Sequence, residues 1–149
     1  MSATITGAIH IRNKLNNLGN TIQKSPKRIV KIASEARNEM VKRDLKGQKP
    51  SGGSFPALSP EYKKWKTEVT GRSIRDLNVE SNMHNAEQVK AVDGGADIYF
   101  NNETERKKAH AHHFGKGKLP ATHFFKLGTK QRKYIKDEIN KPIKKAIGA

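Results

Sequence analysis

The chain contains no cysteine, which excludes disulfides, thiolate zinc sites and thiol chemistry and is compatible with a reducing compartment. Aromatic residues are scarce, at 6%. A single-strand nucleic-acid binder interleaves stacking platforms with its cations, and few platforms are available here. Long apolar runs are missing as well: no window approaches the ~18 apolar residues that a membrane span needs. The opening MSATITGAIHIR has no basic region followed by an apolar run, so neither a secretory leader nor a membrane association is expected. Acidic residues are also few, with 14 Asp and Glu against 30 Lys and Arg and a formal charge of +16. That field attracts nucleic acid, anionic lipid or acidic protein surfaces without selecting among them.

What is present fits one domain. A chain of 149 residues can bury about 70% of its unfolded surface. Yet hydrophobic residues make up only 34% and charged residues 30%. So thin a core predicts an elongated protomer, stabilised by neighbouring copies, over the whole of 1–149. Residues 1–24 read as a peripheral arm, in which Thr4 to Ile11 has loose β character and Leu15, Leu18 and Ile22 recur at helical spacing.

Ser25-Pro26 is a helix start, a capping hydroxyl followed by proline at the first helical position. From there Ile29, Ile32, Ala33, Ala36 and Met40 share one side, predicting a helix over 26–45 that stops before Gly47. Residues 46–59 (KGQKPSGGSFPALS) read as an extended loop. Phe55 and Leu58 are apolar within that glycine-rich stretch, which predicts that a neighbouring subunit orders it. Ser59-Pro60 opens a short helix carrying Tyr62 and Trp65. Three antiparallel strands are expected near 75–82, 86–92 and 96–101, with a hairpin turn at Asp93-Gly94-Gly95. A basic, His-rich segment follows, and Thr129 caps a last helix over 129–147, in which Pro142 predicts a kink or restart. The expected fold is α+β, a small antiparallel sheet of three to four strands flanked by long helices.

Each candidate site has a plain alternative. His110, His112 and His113, with His123 beyond, have the side chains of a zinc or iron site. Their spacing lacks the i, i+4 helical pattern, and the plainer reading is a turn or helix end with its imidazoles in hydrogen bonds or against a partner. No metal and no cofactor are expected. A metal-dependent nuclease needs several carboxylates or a His–Asn pair, and Asp97, Glu103 and Glu105 form no such motif. There is no nucleophile elbow, and the Gly-Lys of GKGK lacks the spacing of a P-loop. No enzyme is expected. The C-terminal TKQRKYIKDEINKPIKKA reads as a nucleic-acid arm or, more plainly, as the solvated face of an amphipathic helix.

Four segments, in order, resemble the phage virion morphogenesis family, the tail-completion proteins of Mu-like phages and their relatives in head–tail joining. In FPALSPEYKKWK, Phe55, Leu58, Ser59, Pro60 and Lys66 stand where the family has an aromatic, a Leu-Ser-Pro helix start and a lysine. TGRSIRDL, Thr70 to Leu77, is similar to its Thr-Gly and Ser-Ile strand start. In AHAHHFG, His112, Phe114 and Gly115 match. In LPATHFFKL, Pro120, Ala121 and Phe124 match, but Thr122 replaces the usual arginine and His123 the second proline, which puts that arginine's role in doubt.

The resemblance implies a structural virion protein at the head–tail junction or tail end, present in the host cytoplasm during assembly. It implies a homo-oligomeric ring of about six or twelve copies. Its neighbours would be neck, adaptor, tail-terminator or tail-tube proteins, with non-specific contact to channel DNA. The residues expected at subunit or partner interfaces are Phe55, Leu58, Tyr62, Trp65, His112, Phe114 and Phe124. The alternative function is a small basic DNA-binding or DNA-packaging-associated protein.

Overall fold

The computed structural model describes residues 2–4, 26–78, 81–93 and 95–146. The fold is α+β. Helix α1 spans Pro26–Leu45, as its apolar spacing predicts, and buries Ile32, Ala33, Ala36, Met40 and Asp44 along one side. It stops at Lys46-Gly47, where the Gly47 amide donates to the Asp44 carbonyl at 2.8 Å and closes an otherwise orphaned acceptor. Helix α2 spans Pro60–Thr70, with Ser59 as its N-cap and Pro60 in its first turn. The one-turn α3 covers Asn82–Asn85.

Strands Glu87–Val92 (β2) and Gly95–Phe100 (β3) form an antiparallel hairpin with Val89 opposite Ile98. The segment Ser2–Thr4 (β1) lies antiparallel along the other side of β3, with Ala3 opposite Ile98. Helix α4 covers Glu103–Phe114, and α5 runs through Pro142 over Thr129–Ala146 without a restart.

The core has two joined parts. Ile32, Ala33 and Ala36 of α1 meet Ala96 of β3 and Ile135 and Ile139 of α5. Further along α1, Met40 packs with Phe55, Met83, Ile98, Phe100, Ala109, Phe124 and Phe125. Each of the large apolar side chains contributes roughly 1.5–3 kcal/mol by leaving water. The Phe100 and Phe125 rings sit 4.9 Å apart. Arg43 ties α1 to the segment ahead of α5, donating to the carbonyls of Lys126 at 2.9 Å and Phe124 at 2.5 Å.

Two expectations are corrected. No strand occupies 75–82 among the described residues. Residues 75–78 are irregular, Leu77 has a φ of +58°, and the chain then turns into α3. Alternation of Leu77 with polar neighbours lost to side-chain bonding, because Asp76 is buried and accepts from the backbone N–H of Asn78 at 3.1 Å. The hairpin is the main part of the sheet, and the third place, expected for a strand from 75–82, is taken by the three-residue β1 beside β3. Second, the loop 46–59 is organised by its own backbone. Lys49 N–H donates to Gly53 at 2.9 Å and Phe55 N–H to Gly47 at 2.7 Å, while Phe55 enters the chain's own core at 6% exposure. The His-rich segment, read as a turn or helix end, is mostly helix α4, with His112 and His113 in its last turn. Residues 5–25, with most of the expected arm, lie outside the described residues.

Candidate partner-binding groove

Helix α2 is unusual in what it buries: Lys66 and nothing else. The Lys66 ammonium, 2% exposed, donates to the Ile74 carbonyl at 2.9 Å and pairs with the Asp76 carboxylate. Arg72 Nε lies 2.9 Å from the second Asp76 oxygen. Gly71 ends the helix in the left-handed region at φ +70°, and its N–H donates to Thr67. A residue with a Cβ is strained at that angle. The chain then returns across the face of α2, and Arg75 pins it by donating to the carbonyls of Pro56 at 2.8 Å and Ala57 at 3.1 Å. Breaking a buried pair by removing one partner strands the other charge, so this lock fixes the local geometry more than it adds net stability.

With its polar side locked inward, α2 turns its large apolar side chains outward. Tyr62 and Trp65 are 43% and 45% exposed, and their rings stack at 5.2 Å. They border a groove of about 310 Å³. Leu58, Leu77 and Met83 form its apolar wall, and its polar groups include Arg75, Glu105, Lys108 and His112.

His112 comes from the last turn of α4. Asn102 caps that helix by accepting from Glu105 N–H at 3.0 Å. At the other end, Thr122 N–H and Oγ1–H both donate to the His112 carbonyl, at 2.9 and 2.7 Å. Thr122 is thus a buried helix-end cap. Gly115 leaves α4 at φ +78°, where an added Cβ would come within 2.8 Å of the Leu119 carbonyl oxygen. The His112 ring faces the groove, and its Nδ1 is buried without a hydrogen-bond partner. Burial, with Arg75 and Lys66 nearby, holds its pKa below the ordinary histidine range.

The groove therefore gathers Leu58, Tyr62, Trp65 and His112 from the expected interface set. Phe55 and Phe124 do not join them: both are core residues, with Phe124 fully buried. Apolar character alone does not separate a core aromatic from an interface one, which is why the sequence misplaced them. Phe114 is exposed at 56% but lies against His110 and His113 and does not line the groove. His113 accepts from Phe125 N–H at 3.2 Å, in keeping with the hydrogen-bonded helix-end reading of the histidines.

One cluster went unread in the sequence. Asp44, His84 and Glu87 are all buried, with ligand atoms within 4.8 Å of one another. Composition alone would admit a metal. However, Asp44 already accepts from Arg43 Nη2 at 2.7 Å, and Arg37 Nε stands 3.8 Å from Glu87. Two guanidiniums thus occupy the role a cation would take. Burial pushes the Asp44 carboxyl up to about 7, against the pull of Arg43. Burial opposes protonation of His84, but the Glu87 hydrogen bond at 3.2 Å and the Glu87 charge outweigh it and raise its pKa.

No protein-family model, curated protein or solved structure matches the chain.

Proposed function

We propose that the chain is a non-enzymatic structural protein of a tailed-phage particle, acting at the head–tail junction by binding other virion proteins. The observation that carries the reading is the exposed Tyr62–Trp65 pair, which borders one groove with Leu58 and His112. Stacked aromatics half in water beside a concave wall are what a protein interface uses as anchors. The four segments that resemble tail-completion proteins supply the head–tail assignment. Two of them, 55–66 and 70–77, build the groove's α2 side, and His112 comes from the third. In this reading the protein forms a ring of about six or twelve copies, and the groove meets a neighbouring copy or a neck, adaptor or tail protein.

Deleting the gene from its phage tests this. Full heads and finished tails should accumulate unjoined, and supplied protein should join them. Normal particles from the deletion strain would end the proposal.

A second reading, a small basic DNA-binding or packaging-associated protein, draws on the exposed cations of α5, among them Lys130, Arg132, Lys136, Lys144 and Lys145. Binding to duplex DNA that falls steeply with the logarithm of salt concentration would favour it.

A further inference from the structure

We infer that the groove takes an acidic segment of a partner protein, with an Asp or Glu carboxylate between Arg75 and His112 and an apolar side chain against Tyr62 and Trp65. The inference rests on the groove being the partner-docking face.

The charges of the groove are unequally matched. Lys66 has Asp76, and Lys108 has Glu105 at 2.8 Å. Arg75 is half-buried and contacts no carboxylate among the described residues. Its hydrogen bonds go to the neutral carbonyls of Pro56 and Ala57. Burial lowers its pKa, as expected for a guanidinium whose charge is not compensated. His112 lines the same concavity, close enough to Arg75 and Lys66 for their charges to act on it. A surplus positive charge and an imidazole thus share one concavity.

A carboxylate answers both. Its two oxygens accept from a guanidinium and from an imidazole N–H together, and charge-assisted bonds of this kind are about twice as strong as neutral ones. The rest of the wall is Leu58, Leu77, Met83 and the aromatic pair, so the acid must come with an apolar neighbour. A phosphate chain fits less well. It needs a run of unpaired cations along its path, whereas this groove offers one unmatched guanidinium and places Glu105 in the lining. An acidic protein surface also suits the +16 of the whole chain.

The test selects a random displayed peptide library on the full-length protein. Selected peptides are then labelled with a fluorophore at one end and titrated by fluorescence anisotropy. Enriched peptides should carry Asp or Glu beside Leu, Phe or Trp. Arg75→Gln and Trp65→Ala should each weaken them by roughly tenfold or more. Because Arg75 also pins the chain, Arg75→Lys serves as a second variant: it keeps the charge and should keep the acidic preference. Enrichment of neutral or basic peptides, no enrichment, tighter binding of an oligothymidylate, or unaltered binding by Arg75→Gln would each overturn the inference. If acidic peptides win but the deletion strain makes joined particles, the assembly reading fails and this one stands. If joining requires Trp65 but the winning peptides are not acidic, the reverse holds.

Discussion

Helices α1 and α2 sit in one small domain and are held by opposite means. Helix α1 buries an apolar stripe from Ile32 to Met40, whereas α2 buries Lys66 and leaves Tyr62, Trp65 and Val69 exposed. For α1, tertiary packing of one face supplies the stability. For α2, a Ser59 cap, the Gly71 terminus and the Lys66–Asp76 pair hold the helix without using its large apolar side chains. A helix fixed through its polar side keeps its apolar side free for another molecule.

The largest effect that would break this comparison is on stability. Phe124→Ala should cost about 3–5 kcal/mol in chemical denaturation, because the ring is fully enclosed in the core. Trp65→Ala should cost less than about 1 kcal/mol. Equal losses would mean that α2 is core and that the groove is no docking face. Next in size, Lys66→Met should cost roughly 3 kcal/mol by removing the buried partner of the Asp76 carboxylate and leaving it only the more exposed Arg72. Hydrogen exchange in α2 should rise while α1 stays protected. Uniform loss of protection in both helices would show that the two are not held separately.

A subtler difference lies in proton binding. The α1 end contributes Asp44 to the buried cluster, and both Asp44 and His84 bind protons more tightly when folded than when unfolded. Their contribution to stability is full below the unfolded carboxyl value of about 4. It is lost as pH rises through the folded value of about 7 for Asp44. Asp44→Asn should therefore flatten the decline of stability between about pH 4 and pH 7. A decline as steep as in the wild type would remove Asp44 as its source. The smallest effect is a null one: chelation should leave the melting temperature unchanged, since Arg37 and Arg43 already neutralise Glu87 and Asp44. A fall on chelation would mean that a metal displaces those guanidiniums.

These contrasts also explain what was legible in the sequence. The spacing from Ile29 to Met40 and the Asp93-Gly94-Gly95 turn are local signals, and α1 and the hairpin lie where those signals placed them. Helix α4 lacked an apolar stripe, burying Glu105 and Ala109 alone, so periodicity missed it. Its one readable signal was Asn102 three residues ahead of Glu105, a capping arrangement. Residues 75–78 were misread because a buried ion pair joining Lys66 to Asp76 is a long-range event that alternation does not encode. The site was half legible for the same reason. Tyr62, Trp65, Leu58 and His112 could be picked by residue type. Only the return of the chain across α2 brought Arg75 beside them and carried Phe55 into the core. Asp44, His84 and Glu87 come from three separate elements, α1, α3 and β2; His84 and Glu87 are three residues apart, but no spacing links that pair to Asp44.

The central claim is that α2 presents a docking face that virion assembly needs and folding does not. Its most direct test is joining of heads to tails in a deletion strain supplied with Trp65→Ala protein, counted by electron microscopy. The account predicts a soluble variant with a near-native melting temperature and a loss of joined particles of roughly tenfold or more. Wild-type numbers of joined particles from that variant would contradict it.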